Sequence, residues 1–223
     1  MSDPNVQRLR RLDACALSDA LDKLKLAGTV TGLVQRSGNG RIAGRAVTMK
    51  VGPGVQPPGA PRHLGCAAIE QSGADDVIVV EQRSGVEAGC WGGLLTLGTQ
   101  VRGVAGVVAD GPLRDVDEAM AYDFPVFSRS LTSRTARGRV VELGVQVPVT
   151  LGAAAGGEAT VRPGDYVVAD RSATIFIAAA DIERVLEAAE AIAAKEAAMA
   201  KAILRGTPVG EVMGGNYEHM LEQ

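Results

Sequence analysis

Two short apolar runs constrain the fold most: ADDVIVVEQ (74–82) and VAGVVAD (104–110). Each is too short for a core helix and too uniformly apolar for a half-exposed strand, so both read as buried strands. Between them CWGGLLTLGTQVRG reads as a helix opening at Gly92-Gly93, with Leu94, Leu97 and Val101 marking its apolar face. A turn, a helix at about 115–123 and a strand FPVFSRS (124–130) follow. Alternation of this kind predicts an α/β domain with mixed sheets and helices on a face.

The flanks extend that reading. Residues 6–26 predict one helix, with Leu9, Leu12, Ala16, Ala20 and Leu24 at spacings of 3 and 4. RIAGRAVTMKVG (41–52) reads as strand, and VGPGVQPPGAPR (51–62), with four prolines, as a loop and candidate lip over a site. HLGCAAIEQSG (63–73) predicts a short helix. From 131 to 180 the pattern is β, with turns at Gly144 and Pro163-Gly164. Residues 181–205 predict a long Ala-rich helix with Asp181 as N-cap, and a loosely held glycine-rich tail after it. All 223 residues are expected to form one domain.

Composition removes several classes of function. A net charge of −3 gives no electrostatic footprint for nucleic acid. No apolar run is long enough to span a membrane. The start, MSDPNVQRLRRLD, lacks an apolar h-region, so a cytoplasmic protein without a secretory signal is expected. Cys15, Cys66 and Cys90 form no CxxC pair and read as reduced thiols. Of the two histidines, His219 lies in the tail and His63 follows the proline loop, which disfavours Ser-His-Asp or Cys-His catalysis. GNGRIAG (38–44) is not GxGxxG, and there is no GxxxxGK[ST]. Lys50, at the end of an apolar strand, is the one candidate for a Schiff-base amine.

Three features can carry chemistry. The backbone of Gly92, Gly93, Leu94 and Leu95 opens a helix, where free N–H groups and the positive dipole end can cradle a carboxylate or phosphate. Glycine is also common at helix starts for purely structural reasons. In ADGPLRD, Asp110, Arg114 and Asp115 fall in one turn after a strand; Arg114 can hold a carboxylate bidentately and Asp115 a hard divalent ion. The competing reading is a surface ion pair with Asp115 as N-cap. Glu196 lies on the apolar stripe of the last helix with Ile182, Val185, Ala189, Ile192, Met199 and Ile203. A charge there expects a metal-bound water, an arginine or a subunit contact, unless it reaches solvent from the stripe's edge.

GRAVTMKVGPG, ADDVIVVE, WGGLL, VVADGPLRD, FPVFSR and RPGDYVVAD, in that order, resemble segments of the RraA-like family from about Leu17 to Leu204. That family contains class II 4-hydroxy-4-methyl-2-oxoglutarate / 4-carboxy-4-hydroxy-2-oxoadipate aldolases and ribonuclease E regulators. The resemblance implies a swivelling β/β/α fold, a tail at 205–223 and a trimer or a hexamer made of two trimers. The aldolase signature is Asp, twenty residues, then Arg-Asp. Arg114-Asp115 match it, while Gly93 stands where the first Asp would be. By the resemblance, Gly92–Leu95 cradle a pyruvate carboxylate, Arg114 binds the enolate and Asp115 holds Mg²⁺ or Mn²⁺. Glu196 is similar to a glutamate that reaches a neighbouring subunit's site. The expectation is a metal-dependent lyase that releases pyruvate from a keto acid and also decarboxylates oxaloacetate. The alternative is a non-catalytic regulator that binds a protein partner.

Overall fold

The computed structural model describes residues 2–59, 62–153 and 155–214. The chain begins with α1 (Pro4–Leu9) and α2 (Ala14–Lys23), followed by β1 (Thr29–Val30), β2 (Val34–Ser37) and β3 (Ile42–Pro53). The alternating part comprises α3 (Cys66–Glu70), β4 (Asp76–Glu81), α4 (Gly93–Val101), β5 (Gly106–Leu113), α5 (Val116–Ala121) and β6 (Val126–Leu131). Then come β7 (Val140–Val145), β8 (Val149–Ala153), β9 (Gly157–Val161), β10 (Tyr166–Ala169) and β11 (Thr174–Ile177). A long α6 (Ile182–Leu204) and a short α7 (Val209–Val212) close the described part.

The main sheet runs β1-β11-β10-β3-β4-β5-β6-β2, with β7 on the far half of β3. Its centre, β3 to β6, is parallel, and its flanks are antiparallel. The strand period of 2 sorts the core. Ile78, Val80, Val107 and Ala109 face α3, α4 and α5. Val77, Val79, Val108, Val167 and Ala169 face the β8-β9 hairpin. On the β10-β11 flank, Tyr166, Val168, Ile175 and Ile177 pack beneath α1, α2 and α6. The expected α/β architecture with mixed sheets and a long C-terminal helix is the observed one.

Three local expectations are corrected. The helix at 6–26 is two helices, because Asp13 turns extended and its carboxylate caps α2 through the Ala16 N–H at 2.8 Å. Gly144 sits inside β7. The turn lies at Gln146, whose φ is +56°, where the Gln146 N–H and Val147 carbonyl bond to Thr48 of β3. Asp181 stands at the start of α6 without capping it; its carboxylate pairs with Arg184 at 2.9 Å. In the expected tail, α7 is helical, and His219 lies outside the described residues.

Candidate active site

The stretch before α4 is stitched alongside the end of β5. The Cys90 N–H donates to the Pro112 carbonyl at 2.9 Å, Trp91 bridges Leu113, and the Arg114 N–H donates to the Trp91 carbonyl at 3.0 Å. Twenty intervening residues are thereby folded away, and the glycine pair meets the Arg-Asp pair. Close approach requires Gly111 in this stitch, since a Cβ there would lie 2.7 Å from Gln82 Cβ and 2.9 Å from Cys90 Sγ. Burial pushes the Cys90 thiol up to about 12, so it packs as a neutral hydrophobe.

Asp115 adopts the left-handed region at φ +58°, a conformation costly outside glycine and concentrated at functional positions. It stands at the start of α5, yet its carboxylate caps the neighbouring helix. Oδ2 accepts from the Gly93 N–H at 3.1 Å, and Oδ1 accepts from Arg114 Nε at 3.1 Å. The Arg114 stem lies across two glycines. A Cβ on Gly89 would lie 2.9 Å from both Cγ and Cδ of Arg114, and one on Gly92 would lie 3.1 Å from Cγ. The terminal nitrogens of Arg114 hydrogen-bond to no described group. The N–H groups of Leu94 and Leu95, in the first turn of α4, have no intrahelical partner. A guanidinium with its fork open therefore stands beside a helix N-terminus, a pairing suited to a carboxylate ligand.

Other expected members fall elsewhere. Asp110 does not share a turn with Arg114: β5 continues to Leu113, with a register shift against β6 between Ala109 and Pro112. Asp110 is buried on the hairpin side, accepting from Arg129 Nε at 2.8 Å and the Gly152 N–H at 2.6 Å. Lys50 is half-exposed and paired with Glu81 at 3.2 Å, so it lacks the desolvation a Schiff-base amine needs. His63 and the proline loop line a groove with Glu142 that includes none of the residues around Arg114. Glu196 is half-buried on α6 against α2, on the opposite flank from the site. Burial, then the facing Asp13 and Asp19, hold its carboxyl above the usual carboxylate range. Leu94, Leu97 and Val101 form the expected face of α4, but it points away from the chain's own core: Leu94 is 82% and Val101 80% exposed.

Among the described residues no three Asp, Glu, His or Cys side chains form a ready-made metal cage. Two carboxylates nevertheless border Gly93. Asp115 is one, and Glu118 is the other; its carboxylate fills the space into which a Cβ on Gly93 would project, with Cδ 2.7 Å from that point. An all-oxygen set of this size fits a hard divalent ion such as Mg²⁺ or Mn²⁺, which leaves its remaining positions to water or substrate. Glu118 and Gly89 were not among the residues singled out from sequence. The available signals were the i, i+3 spacing of Asp115 and Glu118 and the crowding of glycines in AGCWGG.

The chain is 26% identical over 205 residues to Protein DlpA of Legionella pneumophila, covering 92% of this chain but only 32% of that protein's length. It is 28% identical over 200 residues to a Halalkalibacterium halodurans protein provisionally named a 4-hydroxy-4-methyl-2-oxoglutarate aldolase, covering 89% of this chain and 88% of the relative. The crystal structure of an uncharacterized protein from Pseudomonas syringae matches with a TM-score of 0.80 at 27% identity, covering 94% of this chain and 96% of that one. The family model RraA-like, described as Aldolase/RraA, matches residues 14–176. With this fold and that match over most of its length, the chain belongs to the RraA-like family.

Proposed function

We propose that the protein is a divalent-metal-dependent carbon–carbon lyase that releases pyruvate from a 4-hydroxy-2-keto acid and decarboxylates oxaloacetate. One observation carries the reading: Arg114, with both terminal nitrogens open, is held by Asp115 against the N-terminus of α4. Asp115 would hold the cation, which when bound supplies Lewis-acid polarisation of the substrate's keto oxygen. Arg114 reaches both the substrate carboxylate and the keto oxygen through its fork. The amides of Leu94 and Leu95 cradle the carboxylate, and the electron pair of the breaking C–C bond becomes enolate charge that Arg114 faces, which is oxyanion-type stabilisation. Both the aldol cleavage and the decarboxylation pass through a pyruvate enolate, so one arrangement serves both.

The exposed Leu94-Leu97-Val101 face supports a homo-oligomer, trimer or hexamer, because a contiguous apolar strip beside the site is a surface for another copy. Glu196 belongs to this reading only through such a copy. The second half of α6, from Ala193 to Leu204, holds no buried residue and runs past the chain's own core. The test is pyruvate release from a panel of 4-hydroxy-2-keto acids and oxaloacetate with Mg²⁺ or Mn²⁺ present. Release from at least one, lost in Arg114→Lys, supports the lyase. No release from any, with specific capture of a protein partner by the purified oligomer, favours a regulator.

A further inference from the structure

We propose that Glu118 supplies the second carboxylate of the cation site at Asp115. The proposal rests on the lyase reading above and adds a residue to it. A Cβ built on Gly93 would fall on Glu118 Oε2 and lie 3.2 Å from Asp115 Cβ. The absent side chain of residue 93 has thus been replaced in space by one from α5. Two carboxylates three residues apart share a helix face, and here both converge on the same N-terminus. Asp115 is anchored there by the Gly93 N–H and Arg114. The Glu118 carboxylate accepts no hydrogen bond and forms no ion pair among the described residues, so its two oxygens remain open.

Neighbouring carboxylates repel unless a cation lies between or beside them. The Arg114 Nε–H is turned to Asp115, so Glu118 has no positive partner among the described residues. A hard divalent ion held by Asp115 fills that role with an oxygen donor of the kind it prefers. Glycine at 93 then has a definite function: it leaves room for Glu118. Its backbone is not in the left-handed region, so other residues are conformationally allowed there.

The experiment is Mn²⁺ binding to the purified full-length protein, read by electron paramagnetic resonance without substrate. Wild type, Asp115→Asn, Glu118→Gln and the double variant Gly93→Asp/Glu118→Ala, which clears the space beside residue 93, are compared, with circular dichroism to confirm folding. The expected results are loss of binding in Asp115→Asn and weakening of about tenfold or more in Glu118→Gln, the scale seen when support of a metal ligand is removed. Recovery is expected in the double variant, where Asp at 93 re-enters the vacated space. Wild-type affinity in Glu118→Gln with loss in Asp115→Asn overturns the role of Glu118 and leaves the lyase reading standing. No Mn²⁺ binding by the wild type overturns both.

Discussion

Gly89→Ala tests whether the geometry of Arg114, and not merely its charge, drives the reaction. In the structure the new Cβ would lie 2.9 Å from Cγ and Cδ of Arg114 and 3.3 Å from its Cβ. Ordinary carbon contacts begin near 3.5 Å, so the stem must retreat by roughly 0.5–1 Å. The guanidinium lies farther along the same stem and moves at least as far. A misplacement of about 1 Å at a positioning group costs on the order of 10²-fold in rate. The strain is confined to one partly exposed side chain, and an off-rotamer χ costs roughly 0.5–1.5 kcal/mol. The folded fraction should therefore hardly change. Steady-state pyruvate release from oxaloacetate is expected to show most of the loss in kcat, with a smaller change in KM. Near wild-type kcat in Gly89→Ala, alongside a large loss in Arg114→Lys, would refute the claim that the glycine floor sets the arginine.

Arg114→Lys keeps the charge and loses the planar fork; kcat should fall by roughly 10²–10³, and oxalate, an enolate mimic, should inhibit the variant poorly in the same assay. Asp115→Ala removes the cap on α4 as well as the proposed cation ligand, so it should be less stable than Asp115→Asn by about 1 kcal/mol in urea titration; equal stabilities would mean that the Gly93 contact contributes nothing. For Glu196 the sign runs opposite to a salt-bridged acid. Its raised carboxyl keeps a proton in the folded chain that the unfolded chain has lost, so its contribution falls as pH rises from the ordinary carboxylate value through the raised one. Glu196→Gln should raise the Tm of the separated chain at pH 7 and change it less at pH 4; if the proposed oligomer brings Glu196 to a neighbour's site, the same change should lower kcat, and an unchanged kcat would remove Glu196 from that role.

The candidate site was legible where a charge pair or glycine pair stood at the end of an apolar run. Gly92-Gly93 and Arg114-Asp115 are of that kind, and backbone bonds through Trp91 bring them together. Asp110 misled because spacing along a strand end does not say where the strand stops; the irregularity before Pro112 carries β5 on to Leu113 and leaves Asp110 on the hairpin side. Glu118, three residues from Asp115, does not stand out because a glutamate in the first turn of a helix is ordinary. Only the space beside Gly93 gives it another meaning.

The folding frame was read for the same reasons and missed for related ones. The helical period ran unbroken through 6–26 because Leu9, Leu12, Leu17 and Leu21 all pack into one cluster beneath α6, although Asp13 breaks the helix between them. β1 and β2, of 2 and 4 residues, carry too little pattern to identify, and their pairing to β11 and β6 defines them. The apolar face of α4 follows the expected period but stands exposed on this chain, since periodicity marks an apolar face and does not say what it packs against.

Asp115 is proposed to hold a divalent ion that the reaction needs. The direct measurement is pyruvate release from oxaloacetate by wild type and Asp115→Asn as chelator is titrated in and Mn²⁺ is restored. Wild-type activity should vanish in excess chelator and return with Mn²⁺, while Asp115→Asn stays near background throughout. Full wild-type activity in excess chelator, or Mn²⁺ activation undiminished in Asp115→Asn, would contradict it.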